Sequence, residues 1–205
     1  MKKATIIGMI LAVAVTLYSQ EREYKTLVDF DQVRISGMGG PVMQFTAIDG
    51  EFAHLMGGGG AILFNDFFIG GYGLGMTNNI RVNKDKYPGA QTDHHLSVSH
   101  GGFWLGYSLF GTRPVHVCIS SLVGWGELGI KDDYGQYDGD NFFTIVPTLE
   151  VELNLTRYFR IGAGATYNLY TLVDLKDPSD TTAPGYKSSD LSSPGGFLSF
   201  KFGWF

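Results

Sequence analysis

The sequence predicts an all-β fold, an eight-stranded antiparallel transmembrane β-barrel, and three observations predict it. Apolar and polar residues alternate with period two along eight segments, as they must when successive side chains of a strand point to opposite faces. The links between those segments sort into short turns and longer polar stretches, which is the asymmetry of an outer-membrane-type barrel with short periplasmic turns and longer extracellular loops. Glycine supplies 29 of 205 residues, well above the usual share of about 7%, while charged residues are 17% and aromatics 14%. Beyond the first residues no apolar run reaches the roughly 18 residues a membrane helix needs, which excludes a helical bundle. The formal net charge of −5 disfavours a nucleic-acid partner.

The N-terminus reads as an export signal. Lys2 and Lys3 precede the apolar stretch from Ala4 to Leu17, which is too short to cross a bilayer. The expected organisation is a signal peptide over 1–19, a short periplasmic lead-in over 20–31 and a barrel domain over 32–205. Cys118 is the lone cysteine, so it forms no intrachain disulfide and reads as a small buried filler.

Three segments alternate most clearly. Between Phe142 and Leu155, Ile145, Leu149, Val151 and Leu153 oppose Thr144, Thr148, Glu150 and Glu152. Between Phe159 and Val173, Ile161, Ala163, Ala165 and Leu169 oppose Arg160, Gly162, Gly164 and Asn168. At the end of the chain Leu198, Phe200, Phe202 and Trp204 oppose Ser199, Lys201 and Gly203. Weaker alternation predicts strands over 32–47, 51–64, 67–77, 95–110 and 115–128. In the fourth segment Leu96 and Val98 give way to Phe103, Leu105 and Tyr107, which suggests a bulge near 100–102. The tight links are 64–67, 111–114 and 156–158, with a short hairpin at Asp49-Gly50. The long links are 78–92, 131–141 and 176–194.

A sheet can cross lipid only if it closes and leaves no unpaired edge. In lipid the apolar row faces outward, and an eight-stranded lumen has room only for side chains that fill it. Small residues are therefore expected inside: Gly71, Gly73, Gly75, Gly124, Gly126, Gly162, Gly164 and Gly203. Aromatic girdles are expected from Phe64, Phe67, Phe68, Phe110, Tyr158, Phe159, Trp204 and Phe205 at the short-turn end. Phe52, Trp125, Phe142, Phe143 and Tyr170 would form the opposite girdle.

The final FLSFKFGWF, with Phe200, Phe202, Trp204 and Phe205, resembles the C-terminal assembly signal of bacterial outer-membrane barrels. With eight strands over nearly the whole mature chain, the sequence is similar to the small OmpA/OmpX-type barrels. That resemblance implies integral outer-membrane residence, contact with outer-membrane lipid and lipopolysaccharide, and insertion by the barrel assembly machinery. In the family pattern the terminal aromatic shares a face with the residue two before it; here that residue is Gly203, and the bulky row ends at Trp204.

Five charges fall in inward phases: Arg34, Glu150, Glu152, Arg160 and Lys201. Isolated charges in a lumen are costly, so these are expected to pair into a network that plugs the lower lumen. Catalytic residues are expected to be absent, with one alternative. His95, Ser97 and Glu127 share an odd phase near the upper headgroups, with Glu127 expected opposite Val98. This arrangement resembles outer-membrane lipid A deacylase, whose His-x-Ser pair and Glu hydrolyse an acyl ester. His94, His95 and His100 do not converge on a metal. The acidic KDDYGQYDGDN segment lacks EF-hand spacing and reads as a solvated loop, and Gly57–Gly60 is followed by no Lys-Ser/Thr pair of a phosphate loop. No cofactor is implied. The reading is a small outer-membrane barrel with a structural, surface-interaction or complex-subunit role. A lipid A acyl-ester hydrolase, a narrow channel and a soluble lipocalin-like carrier are the alternatives.

Overall fold

The computed structural model describes residues 33–91, 93–132 and 135–205. The expected signal peptide, the lead-in and the first residue of the predicted barrel domain lie outside the described residues. Eight strands carry the fold: β1 (Ile35–Ile48), β2 (Glu51–Phe64), β3 (Phe67–Met76), β4 (His95–Leu109), β5 (Val115–Asp132), β6 (Gly135–Thr156), β7 (Phe159–Thr171) and β8 (Ser193–Gly203). Each pairs antiparallel with its sequence neighbours, and β1 pairs with β8, so the sheet closes into a ring. Two-residue bridges at Ile80–Arg81, Asp174–Leu175 and Tyr186–Lys187 and one helical turn at Ser188–Leu191 belong to the links.

Large apolar side chains face outward along every strand of the ring. Ile62, Phe103, Ile119, Leu149, Val151, Leu169 and Phe202 are all exposed, whereas Gln44, Thr148, Glu150, Glu152, Asn168, Ser199 and Lys201 are buried. That inversion is what an acyl-chain surround requires and what water forbids over so large a contiguous surface. The fold is thus an eight-stranded antiparallel barrel of the outer-membrane type.

The phase of β3 is opposite to the expected one. Phe68, Tyr72 and Leu74 are buried in the lumen, while Gly71, Gly73 and Gly75 lie on the outer face. The physical reason is complementarity between rings and glycines on neighbouring strands. Phe68 packs edge-on against Trp104 of β4 at 5.5 Å, and space for these rings comes from Gly59, whose added Cβ would meet Trp104 at 2.8 Å, and from Gly106, whose Cβ would collide with the Phe68 ring. Gly126 makes the same allowance for Phe142, at 2.5 Å. Phe68, Phe142 and Tyr170 are accordingly core residues and leave the predicted girdles, whereas Phe52, Trp125, Tyr158 and Trp204 are exposed.

Three further expectations change. The register of β4 with β5 runs unbroken from His95↔Lys131 to Leu109↔Val117, without a bulge at 100–102. Leu96, Val98, His100 and Trp104 are all buried on one continuous face; the apparent switch arises because the lumen itself turns apolar toward its upper end. The 131–141 segment is largely paired strand, since β5 reaches Asp132 and β6 starts at Gly135, with an irregularity between Ile130 and Lys131. β8 begins at Ser193, and Pro194 and Gly195 pair with Tyr167 and Thr166, so the last long link runs over 172–192 and not 176–194.

Candidate functional site

The lower lumen, toward the short-turn end, holds a buried cluster of charges. β6 presents Glu150 and Glu152 inward two residues apart, β8 presents Lys201, β7 presents Arg160 and β5 presents His116. Lys201 Nζ donates to Glu150 Oε2 at 3.0 Å and to Glu152 Oε1 at 2.5 Å. His116 Nε2 lies 2.8 Å from Glu152 Oε2, and Arg160 Nη1 lies 3.6 Å from the same oxygen. Ser199 Oγ donates to Glu150 Oε1 at 2.6 Å. The two carboxylates are fully buried, a position that only such pairing makes tolerable. Trp104 and Phe68 form a roof over the cluster, with the Lys201 ammonium 5.0 Å and 5.7 Å from their ring centres.

Four of the five charges singled out in the sequence therefore meet. The fifth, Arg34, is exposed at the rim of the lower mouth and lies outside the ion pairs. Its position immediately before Ile35, below the last paired rung, explains this: the lumen wall has ended where Arg34 sits. His116 and Ser199 escaped sequence reading. Both share the inward phase of Cys118 and Lys201, and His116 pairs with Glu152 across the strands. Cys118, Glu150 and Glu152 also place three ligand-type atoms within 4.8 Å of one another, but Lys201 already fills the carboxylate edges.

Below the cluster, Phe205 stacks on the Arg160 guanidinium, ring centre to Cζ 3.7 Å. This explains the departure at the C-terminus: Trp204 stays outside, edge-on against Tyr158 at 5.0 Å, while Phe205 turns under the lumen. Phe200 and Phe202 remain on the outer face.

Above, the lumen is apolar and covered. His100 accepts or donates at 3.0 Å with Tyr72 and packs on Phe142 and Tyr170. Gln44 donates to Asn168, which in turn donates to Thr46 at 2.6 Å. Over these lie Leu55, Leu96, Leu128, Ile130 and Leu191, with Tyr87 and Tyr186 fully buried among them. The links 77–94 and 172–192 are pinned together across this cap. Lys86 Nζ contacts Asp49 and Asp190, each at 2.6 Å; Tyr186 Oη accepts from Asn83 N at 2.7 Å. Desolvation works against the Lys86 charge, but its hydrogen bonds to Asp190 and Asp49 outweigh that and hold its pKa above the ordinary value. Asp138 and Asp140, expected in a solvated loop, instead accept from Tyr87 Oη at 2.7 Å and from Asp174 N at 2.8 Å.

His95, Ser97 and Glu127 lie half-buried on the outer face of β4 and β5. Glu127 pairs with Ser99, one residue from the expected register, and Ser97 pairs with Gly129. The His95 Nδ1 faces the Asp93 carbonyl at 3.4 Å.

The architecture, a closed eight-strand ring with an apolar exterior and buried polar side chains within, defines a small outer-membrane-type β-barrel. Its backbone is similar to that of Neisserial surface protein A (NspA), with a TM-score of 0.58 at 10% identity, covering 83% of this chain and 96% of that one. It is also similar to Ail, the attachment invasion locus protein of Yersinia pestis, in a complex with the heparin analogue sucrose octasulfate, with a TM-score of 0.50 at 12% identity over 84% of this chain and 99% of that one. No protein-family model and no curated protein sequence matches the chain. At such identities the likeness is one of fold.

Proposed function

We propose that the chain is an integral outer-membrane barrel with a plugged lumen, working through its loop end in surface contact or as a subunit of a larger envelope assembly. In this reading the short turns and termini face the periplasm and the loop end faces outward. The observation that supports it is the filling of the two halves of the lumen by unlike buried side chains. Charged side chains cross-brace the lower half, and buried Leu, Ile and Tyr side chains fill the upper half beneath the pinned links.

At the loop end the exposed or half-buried Asp132, Asp174 and Asp180 favour contact with lipopolysaccharide through shared divalent cations, or with a cationic partner, over direct binding of a polyanion such as the sulfated ligand seen with Ail. The outer aromatic row ending at Trp204, with Phe205 after it, is the segment proposed to engage the barrel assembly machinery. A hydrolase reading on His95, Ser97 and Glu127 is the weaker alternative, because the backbone register sets Glu127 against Ser99 and the His95 Nδ1 faces a main-chain carbonyl.

Planar-bilayer recording of the refolded protein tests the plug. No steady unitary current is expected at moderate voltage; a stable, ohmic conductance reproducible across preparations would make it a channel.

A further inference from the structure

The short-turn mouth holds a second arrangement that the plug does not use. A cavity of about 410 Å³ opens there, lined by Arg34, Arg157 and Arg160 together with Asn154, Thr112 and Thr156. None of the described residues lining it is acidic. Arg160 contributes from within: it is 6% exposed, its Nε meets no partner among the described residues, and its remaining contacts are long, 3.6 Å to Glu152 and 3.5 Å to the Gly111 carbonyl. Phe205 covers one face of the guanidinium, its ring centre 3.7 Å from Cζ. Asn154 is held in place by donating to the carbonyls of Gly111 and Arg113 at 3.1 Å and 2.7 Å. Arg34 is tied at its backbone, where its N donates to Asn65 Oδ1 at 3.0 Å. Planar guanidinium groups that line one space can recognise tetrahedral or planar oxyanions through paired N–H donors; here the Arg157 guanidinium lies over the Tyr158 ring at 4.9 Å, at the rim.

We propose that this mouth is a binding site for a phosphate-type oxyanion, entering from the short-turn side. The oxyanion takes paired hydrogen bonds from the Arg160 edge, and Arg34 and Arg157 close on it from the rim. The anion comes either from free phosphate or from a phospholipid headgroup. The flanking Phe110, Tyr158 and Trp204, exposed at that end, place the cavity at headgroup depth if the barrel sits in lipid as proposed above.

The test uses the full chain refolded in a phosphate-free maltoside detergent. Inorganic phosphate and, separately, a short-chain phosphatidylglycerol are titrated by calorimetry, with the Arg160 side-chain Nε–H followed by nitrogen-edited NMR. Saturable binding of free phosphate, or of the lipid alone, supports the site and identifies its source. Because Arg160 also braces Glu152, the diagnostic variant is Arg34→Gln with Arg157→Gln, both at exposed positions. It is expected to weaken binding at least about tenfold, the scale of one lost charge-assisted contact. Arg113→Gln, which carries its guanidinium over Phe110 at 4.6 Å and does not line the cavity, is expected to leave binding unchanged. No saturation with either ligand, or equal affinity in the double variant, overturns the proposal. Failure here leaves the closed lumen untouched, since conductance reads that separately.

Discussion

Replacing Lys201 by methionine is expected to lower the unfolding free energy of the barrel by about 3–5 kcal/mol, the usual cost of leaving a buried charge without its partner. Lys201 is 2% exposed and is bonded to both Glu150 and Glu152. Methionine nearly fills its volume beneath Trp104 and Phe68, so the loss reads the carboxylates and not a cavity. Glu152 keeps His116 and Arg160, but Glu150 keeps only Ser199 among the partners described. Adding Glu150→Gln to the methionine variant is therefore expected to recover part of the loss. Urea titration of the refolded protein followed by tryptophan fluorescence measures both. A loss under about 1 kcal/mol would put the ion pairs on a par with solvent-exposed ones.

The second large effect is on the outer wall. Leu149 is 55% exposed and sits in the middle of the β6 row formed by Ile145, Val151 and Leu153. Leu149→Arg is expected to destabilise the folded barrel in liposomes by about 2–4 kcal/mol, the cost of placing a cation on the lipid face near the midplane. A protein whose outer wall met water would barely register the change, since exposed substitutions away from special features stay within about 0.5 kcal/mol.

Much of this architecture could be read from the chain because period-two alternation survives wherever one face is oily and the other polar. That holds for β6, β7 and β8, whose phases alone put Glu150, Glu152, Arg160 and Lys201 in one lumen. It fails for β3, where Phe68, Tyr72 and Leu74 alternate with glycines. Alternation says that two faces differ, not which faces inward, and the rule that small residues fill a narrow lumen misleads when rings on one strand nest over glycines on the next. The apparent bulge in β4 has the same origin: toward the loop end the interior is as apolar as the wall, so Leu96 and Val98 look out of phase with Phe103 and Leu105. His116 was hidden for a different reason. Its register against Glu152 depends on where β5 turns into β6, and a string of aspartates between 131 and 141 looks like a loop until Tyr87 and the Asp174 amide are seen to satisfy two of them. Arg34 has the right phase but lies past the end of the wall, a boundary that alternation cannot mark.

The central claim is that the apolar row faces acyl chains and the lumen is shut off from them. The chain's three tryptophans test it directly, because Trp104 is 1% exposed inside the barrel while Trp125 is 62% exposed on its outer wall. Single-tryptophan variants reconstituted in vesicles of brominated phosphatidylcholine should show strong quenching of Trp125 by the acyl-chain bromines and weak quenching of Trp104. Equal quenching of the two, or quenching of Trp104 alone, would contradict the orientation on which the plugged barrel rests.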